Sequence, residues 1–128
     1  MSLVTPVYGA IICLLFVFLS VRTLLLRRRL GVGVGDGGHP VLTRAMRAHG
    51  NCAEYVPIAL LLVFFLELNG GTSWWIHILC LLLILGRLSH AFGISQLSEN
   101  YAFRVFGMAT TFTVMISASL RILSLALF

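Results

Sequence analysis

The densest run of groups able to do chemistry is Arg47 to Pro57, RAHGNCAEYVP. At 3.6 residues per helical turn, Arg47, Asn51 and Glu54 are spaced i, i+4, i+7 and share one face. Arg44 lies one turn earlier on the same side, and Tyr55 sits at the margin. Further on, Arg87 and His90 are spaced i, i+3 on a second helical run, and Arg104 opens a third. Guanidinium forks bind carboxylates and phosphates in a bidentate manner. A carboxylate can hold an ammonium, and a histidine can move protons near neutral pH. This inventory suits a small anionic peptide with two carboxylates and one amine. A structural role is compatible with it: Arg47 could pair with Glu54, and Asn51 could hydrogen-bond across helices.

The elements that must position these groups are membrane spans. Of the 128 residues, 59% are hydrophobic and 10% charged, against about 45–50% and about 25% in soluble domains. A chain this short has no core large enough to bury so many apolar side chains in water. The patterning predicts a single all-α domain over 1–128: a four-helix membrane bundle with helices near 3–26, 41–69, 73–92 and 101–127. The first run has no basic n-region before it and reads as a retained span rather than a cleaved leader. The glycine-rich GVGVGDGGHP between the first two helices must be a loop. Trp74 and Trp75 mark a membrane–water interface. Arg27, Arg28, Arg29, Arg44 and Arg47 flank the first loop, whereas the second loop has no Arg or Lys. That asymmetry predicts a cytoplasmic first loop, with both termini on the opposite side.

Other signals carry less. The net charge of +5 comes from nine arginines at the ends of apolar runs or inside them, which points to a bilayer partner and not to nucleic acid. Gly33 to Gly38 formally fits GxGxxG, but a dinucleotide site needs a preceding strand in a βαβ unit. Cys13, Cys52 and Cys80 form no CxxC pair, and His39, His49 and His77 have no metal-like spacing, so no metal site is predicted. Thr110, Thr111, Thr113 and Ser117 read as packing residues of a membrane helix.

The run Arg47-Ala48-His49-Gly50-Asn51-Cys52-Ala53-Glu54-Tyr55-Val56-Pro57 resembles the second-helix signature of the MAPEG family, membrane-associated proteins in eicosanoid and glutathione metabolism. The run Gly86-Arg87-Leu88-Ser89-His90-Ala91-Phe92-Gly93 resembles that family's third-helix motif. The order, spacing and length of the four spans agree, so the resemblance covers nearly the whole chain. The GDGG loop and the short length are most similar to a bacterial inner-membrane branch. The resemblance implies a homotrimer with glutathione, a co-substrate, held between protomers near the cytoplasmic side. It implies glutathione-binding roles for Arg47, Asn51, Glu54, Tyr55, Arg87 and His90. Arg27 or Arg28 matches an arginine supplied by a neighbour, and His49 a position that reaches across the interface in some members. Arg104 matches, through a loop of different length, the arginine that activates the thiol. Ile94 stands where several of the family's enzymes carry a tyrosine.

The expected function is therefore a membrane glutathione-dependent transferase or peroxidase acting on lipophilic electrophiles. One alternative is a non-enzymatic membrane protein that binds an anionic metabolite. Another is a small multidrug exporter with Glu54 as its proton-coupled group. Arg44 and Arg47 weigh against the exporter, because nearby cations keep a carboxylate ionised.

Overall fold

A computed structural model describes residues 3–127 and contains four helices: α1 (Thr5–Leu30), α2 (Pro40–Leu68), α3 (Ser73–Ser95) and α4 (Tyr101–Leu127). Each is long and apolar enough to cross a membrane. Together they form the expected all-α bundle.

The boundaries follow local chemistry. The α1 helix runs past the expected end at residue 26, through Arg27, Arg28 and Arg29, because long cationic side chains can reach the interface without unwinding the backbone. It stops where Gly31 adopts a left-handed conformation (φ 69°) and its N–H bonds the carbonyl of Arg27. Pro40 stands in the first turn of α2, where its missing N–H costs nothing. The α3 helix extends three residues beyond the expected end at residue 92. Gly93 does not break it. A Cβ there would lie 2.9 Å from Phe103 Cβ, so the glycine serves close packing against α4.

The α2 helix threads the core with Ala48, Cys52, Val56, Ala59, Val63 and Leu66. The i, i+3/i+4 spacing of these residues sets one apolar face inward. Ile12 and Leu19 of α1, Leu79 and Leu83 of α3, and Val114 and Ala118 of α4 complete that core. The α1 helix packs on α2 and touches α3, but α1 and α4 do not meet among the described residues. Their outer faces are studded with large exposed apolar side chains such as Leu14, Leu24, Val105 and Leu120, as lipid contact requires.

The closest approach is between α3 and α4. Both Gly86 and Gly107 lie at this seam. A Cβ on Gly107 would sit 2.5 Å from the Gly86 carbonyl oxygen and 2.6 Å from His90 Cβ. Small residues let membrane helices approach to backbone contact. Here they bring α4 directly against His90.

At the opposite end of the bundle, the Glu67 carboxylate of α2 accepts the backbone N–H groups of Val4 and Thr5. It supplies the cap that α1 lacks from its own side chains. Tyr8 Oη and His77 Nδ1 lie 2.8 Å apart and tie α1 to α3 nearby.

Candidate functional site

The polar residues of three helices and the first loop surround one open cavity of about 610 Å³ at the end of the bundle that carries the glycine-rich loop. Its wall includes Arg44, Arg47 and Asn51 from α2, His90 and Ile94 from α3, Arg104 and Met108 from α4, and Asp36 from the loop. Four predicted site residues, Arg47, Asn51, His90 and Arg104, therefore share a cavity. They come from three helices: Arg47 and Asn51 from α2, His90 from α3 and Arg104 from α4.

Behind this wall lies a buried support. Arg87 is 2% exposed. It donates to Asn51 Oδ1 at 2.7 Å and to the carbonyl of Gly107 at 3.0 Å. A guanidinium inside a span must be met by acceptors, and Arg87 takes one from α2 and one from α4. It does not line the cavity. It fixes Asn51 and links three helices. The Tyr55 ring lies 6.0 Å from the Arg87 guanidinium and meets Phe112 edge-on. Tyr55 thus belongs to this supporting layer as well.

Glu54 is half-exposed and lies 3.7 Å from Arg47 Nη1. That ion pair is loose, and both partners are open to their surroundings. His49 is turned away from the cavity and stacks on Phe16 of α1, with ring centroids 4.8 Å apart. Arg27 is spent on the first loop. Its Nη1 donates to the carbonyl of Gly35 at 2.8 Å and reaches that of Gly33 at 3.3 Å, so the glycine run is organised by backbone acceptors around one guanidinium. Arg28 is exposed, with no hydrogen bond or ion pair among the described residues. Within one chain, then, Glu54, His49, Arg27 and Arg28 do not line the cavity.

Two acidic residues that sequence reasoning passed over belong to the site. Glu99, in the link between α3 and α4, pairs with Arg44 at 2.9 Å and with Arg104 at 3.2 Å. Arg44 also donates to the Ile94 carbonyl at 3.2 Å, which closes the end of α3. One signal was available: Glu99 is the sole acidic residue between the arginines of α3 and α4. The second is Asp36, which accepts from the Thr43 hydroxyl and from the Gly38 N–H. Those hydrogen bonds, Thr43's first, hold its carboxyl below the ordinary value of 3.8. Among the described residues, no group of His, Cys, Asp and Glu could hold a metal ion.

The arrangement is a cationic cavity at a membrane end, bounded by three guanidinium groups, a neutral amide and an imidazole. It can hold an anion and stabilise negative charge developing beside Arg104. The sequence pattern that defines the MAPEG family matches residues 5–124. The chain belongs to the MAPEG family. It is also similar to the inner membrane protein YecN of Escherichia coli strain K12, with 36% identity over 114 residues, covering 89% of this chain and 86% of that one. The YecN of Escherichia coli O6:H1 strain CFT073 matches to the same extent. Both family motifs fall on the site's helices: the second-helix run carries Arg47 and Asn51, and the third-helix run carries Arg87 and His90.

Proposed function

We propose that this protein is a membrane glutathione-dependent transferase or peroxidase acting on lipophilic electrophiles. The observation that carries the reading is the convergence of Arg44, Arg47 and Arg104 with Asn51 and His90 on one cavity, in a chain of the MAPEG family. The inventory fits the tripeptide: guanidinium groups for its carboxylates, Glu54 at the margin for its ammonium, and Asn51, held by Arg87, for its backbone. Arg104 is the group that favours the thiolate. A cation beside a thiol lowers its pKa, and each unit is worth about 1.4 kcal/mol. The thiolate sulfur then attacks the electrophilic carbon of a substrate dissolved in the bilayer, and the displaced group leaves with the bonding electron pair.

A homotrimer completes this reading. Among the described residues Arg28 makes no hydrogen bond or ion pair, and His49 stacks on Phe16 in the α1–α2 groove, positions from which both can serve a neighbouring protomer. We place the protein in an inner membrane, as the name of its relative suggests, with the arginine-flanked first loop in the cytoplasm.

Calorimetry of glutathione with the detergent-purified protein tests the reading. Saturable binding that is lost in Arg47→Ala and in Glu54→Ala is expected. Conjugation of a lipophilic electrophile should be abolished in Arg104→Ala with the fold intact. A folded trimer that binds no glutathione would remove the proposal, and conjugation retained in Arg104→Ala would remove that residue from the mechanism. Ile94 favours a second reading. Its side chain is hydrocarbon, with no hydroxyl to offer a thiol, at a position that lines the cavity, as would suit a binding protein without turnover. Saturable binding with no product from a panel of electrophiles would select that reading.

A further inference from the structure

Two of the three cavity arginines are engaged by one buried carboxylate of the chain itself, while Arg47 has only the loose, exposed pair with Glu54. Glu99 lies in the link 96–100 and its side chain is 4% exposed, whereas its partners Arg44 and Arg104 are 27% and 39% exposed. Its carboxylate therefore sits behind the two guanidinium groups that open onto the cavity, in contact with both. That is the relation a bound ligand carboxylate would have to the same pair.

The two contacts differ in quality. Arg44 makes a well-formed 2.9 Å hydrogen bond to Glu99 Oε2 and is held from a second side by the Ile94 carbonyl. Arg104 is gripped less firmly. It reaches Oε2 at 3.4 Å, and Oε1, though within ion-pair distance, has no aligned donor. Arg104 also lies over the Tyr101 ring at 5.3 Å, a surface along which a guanidinium can pivot while keeping its cation–π contact.

We infer that Glu99 is a specificity-determining residue of this cavity, an internal carboxylate that competes with the ligand for Arg104 and so sets how tightly anions bind and how many charges they need. A dicarboxylate takes Arg47 with one group and draws Arg104 from Glu99 with the other. A monoanion satisfied by Arg47 alone leaves the Glu99 pair intact. This rests on the proposal that the cavity is an anion site, but not on the anion being glutathione.

The test compares the purified full-length protein with Glu99→Gln, which keeps the shape and loses the charge. Binding of glutathione, of the simple dicarboxylate glutarate and of the monoanion butyrate is measured by calorimetry. Glutathione and glutarate should bind Glu99→Gln about tenfold more tightly, while the change for butyrate is much smaller. Unchanged or weaker dicarboxylate binding in folded Glu99→Gln would overturn the inference, because Glu99 would then only hold the arginines in place. If Glu99→Gln does not fold, Glu99→Asp carries the test. Its shortened reach should tighten dicarboxylate binding about threefold, and no gain there would equally overturn the idea. Tighter glutarate binding by the variant with no glutathione binding by either protein would remove the glutathione reading and leave this one standing. Equal glutathione and glutarate affinity in both proteins would do the reverse. No binding of either dicarboxylate by either protein would remove both.

Discussion

Replacing Gly107 with alanine tests the α3–α4 seam. The added methyl would lie 2.6 Å from His90 Cβ, 2.8 Å from His90 N and 2.5 Å from the Gly86 carbonyl oxygen. Non-bonded carbons rest at about 3.5–4.0 Å, so the helices must separate locally by about 1 Å. Two of the three obstacles are backbone atoms, which cannot rotate aside. Overpacking of this kind costs about 1–3 kcal/mol. Separation also stretches the Arg87 bond to the Gly107 carbonyl, worth about 0.6–1.7 kcal/mol inside a membrane protein. Alanine's better helix propensity returns about 1 kcal/mol. The balance is a net loss of about 0.5–4 kcal/mol, composed from those same ranges. Reversible unfolding in mixed detergent micelles measures it. Gly9→Ala is the control, since its methyl would meet only Leu60 Cδ1 at an ordinary 3.8 Å, and it should be neutral or slightly stabilising. A Gly107→Ala protein as stable as the parent would refute the close-contact account of the seam.

Three further outcomes are expected. Asn51→Ala removes a bond to the buried Arg87 and should cost about 1–3 kcal/mol. Asn51→Ala and Arg87→Ala should then be strongly non-additive in a double-mutant cycle, and simple additivity would show that the pair is not coupled. Glu67→Ala should speed amide exchange at Val4 and Thr5 and destabilise the start of α1 by about 1–2 kcal/mol, in line with loss of a cap; unchanged exchange would exclude the capping role. Asp36 should titrate below 3.8 in the folded protein and move back toward that value in Thr43→Val, read by carboxyl NMR. Because its folded pKa is depressed, its contribution to loop order is present above the ordinary carboxyl pKa and is lost as pH falls through the folded one. An unshifted Asp36 would mean that the Thr43 bond is not populated.

The sequence makes some of this legible and conceals the rest for physical reasons. The four spans follow from uninterrupted apolar runs, because lipid demands both length and low polarity. Their ends are harder to place: Arg27 to Arg29 and Gly93 look like terminators, yet snorkelling allows the first to remain helical and packing against Phe103 explains the second. The face shared by Arg47, Asn51 and Glu54 follows from helical periodicity, but the fates of these residues differ. Asn51 is drawn inward by Arg87, whereas Arg47 and Glu54 stay half-exposed. Helical spacing places residues on one helix relative to each other. It does not say how deep a neighbouring helix sits, and so the sequence does not reveal that Arg87 is buried against Asn51 and the Gly107 carbonyl. Glu99 was hidden for another reason. It lies in an irregular link, where no period tells which way a side chain turns.

The short link between α3 and α4, together with their glycine seam, has a consequence for biogenesis. These two helices can zip together as soon as both are in the bilayer, since their contacts are close in sequence. The α2 helix, which precedes them, carries Arg44 and Asn51 until α3 and the link bring Arg87 and Glu99. The Gly107 carbonyl on α4 is the last of these polar partners to arrive. A chain that stops before α4 would lack the Gly107 carbonyl, leaving the Arg87 guanidinium short of one acceptor inside the bilayer.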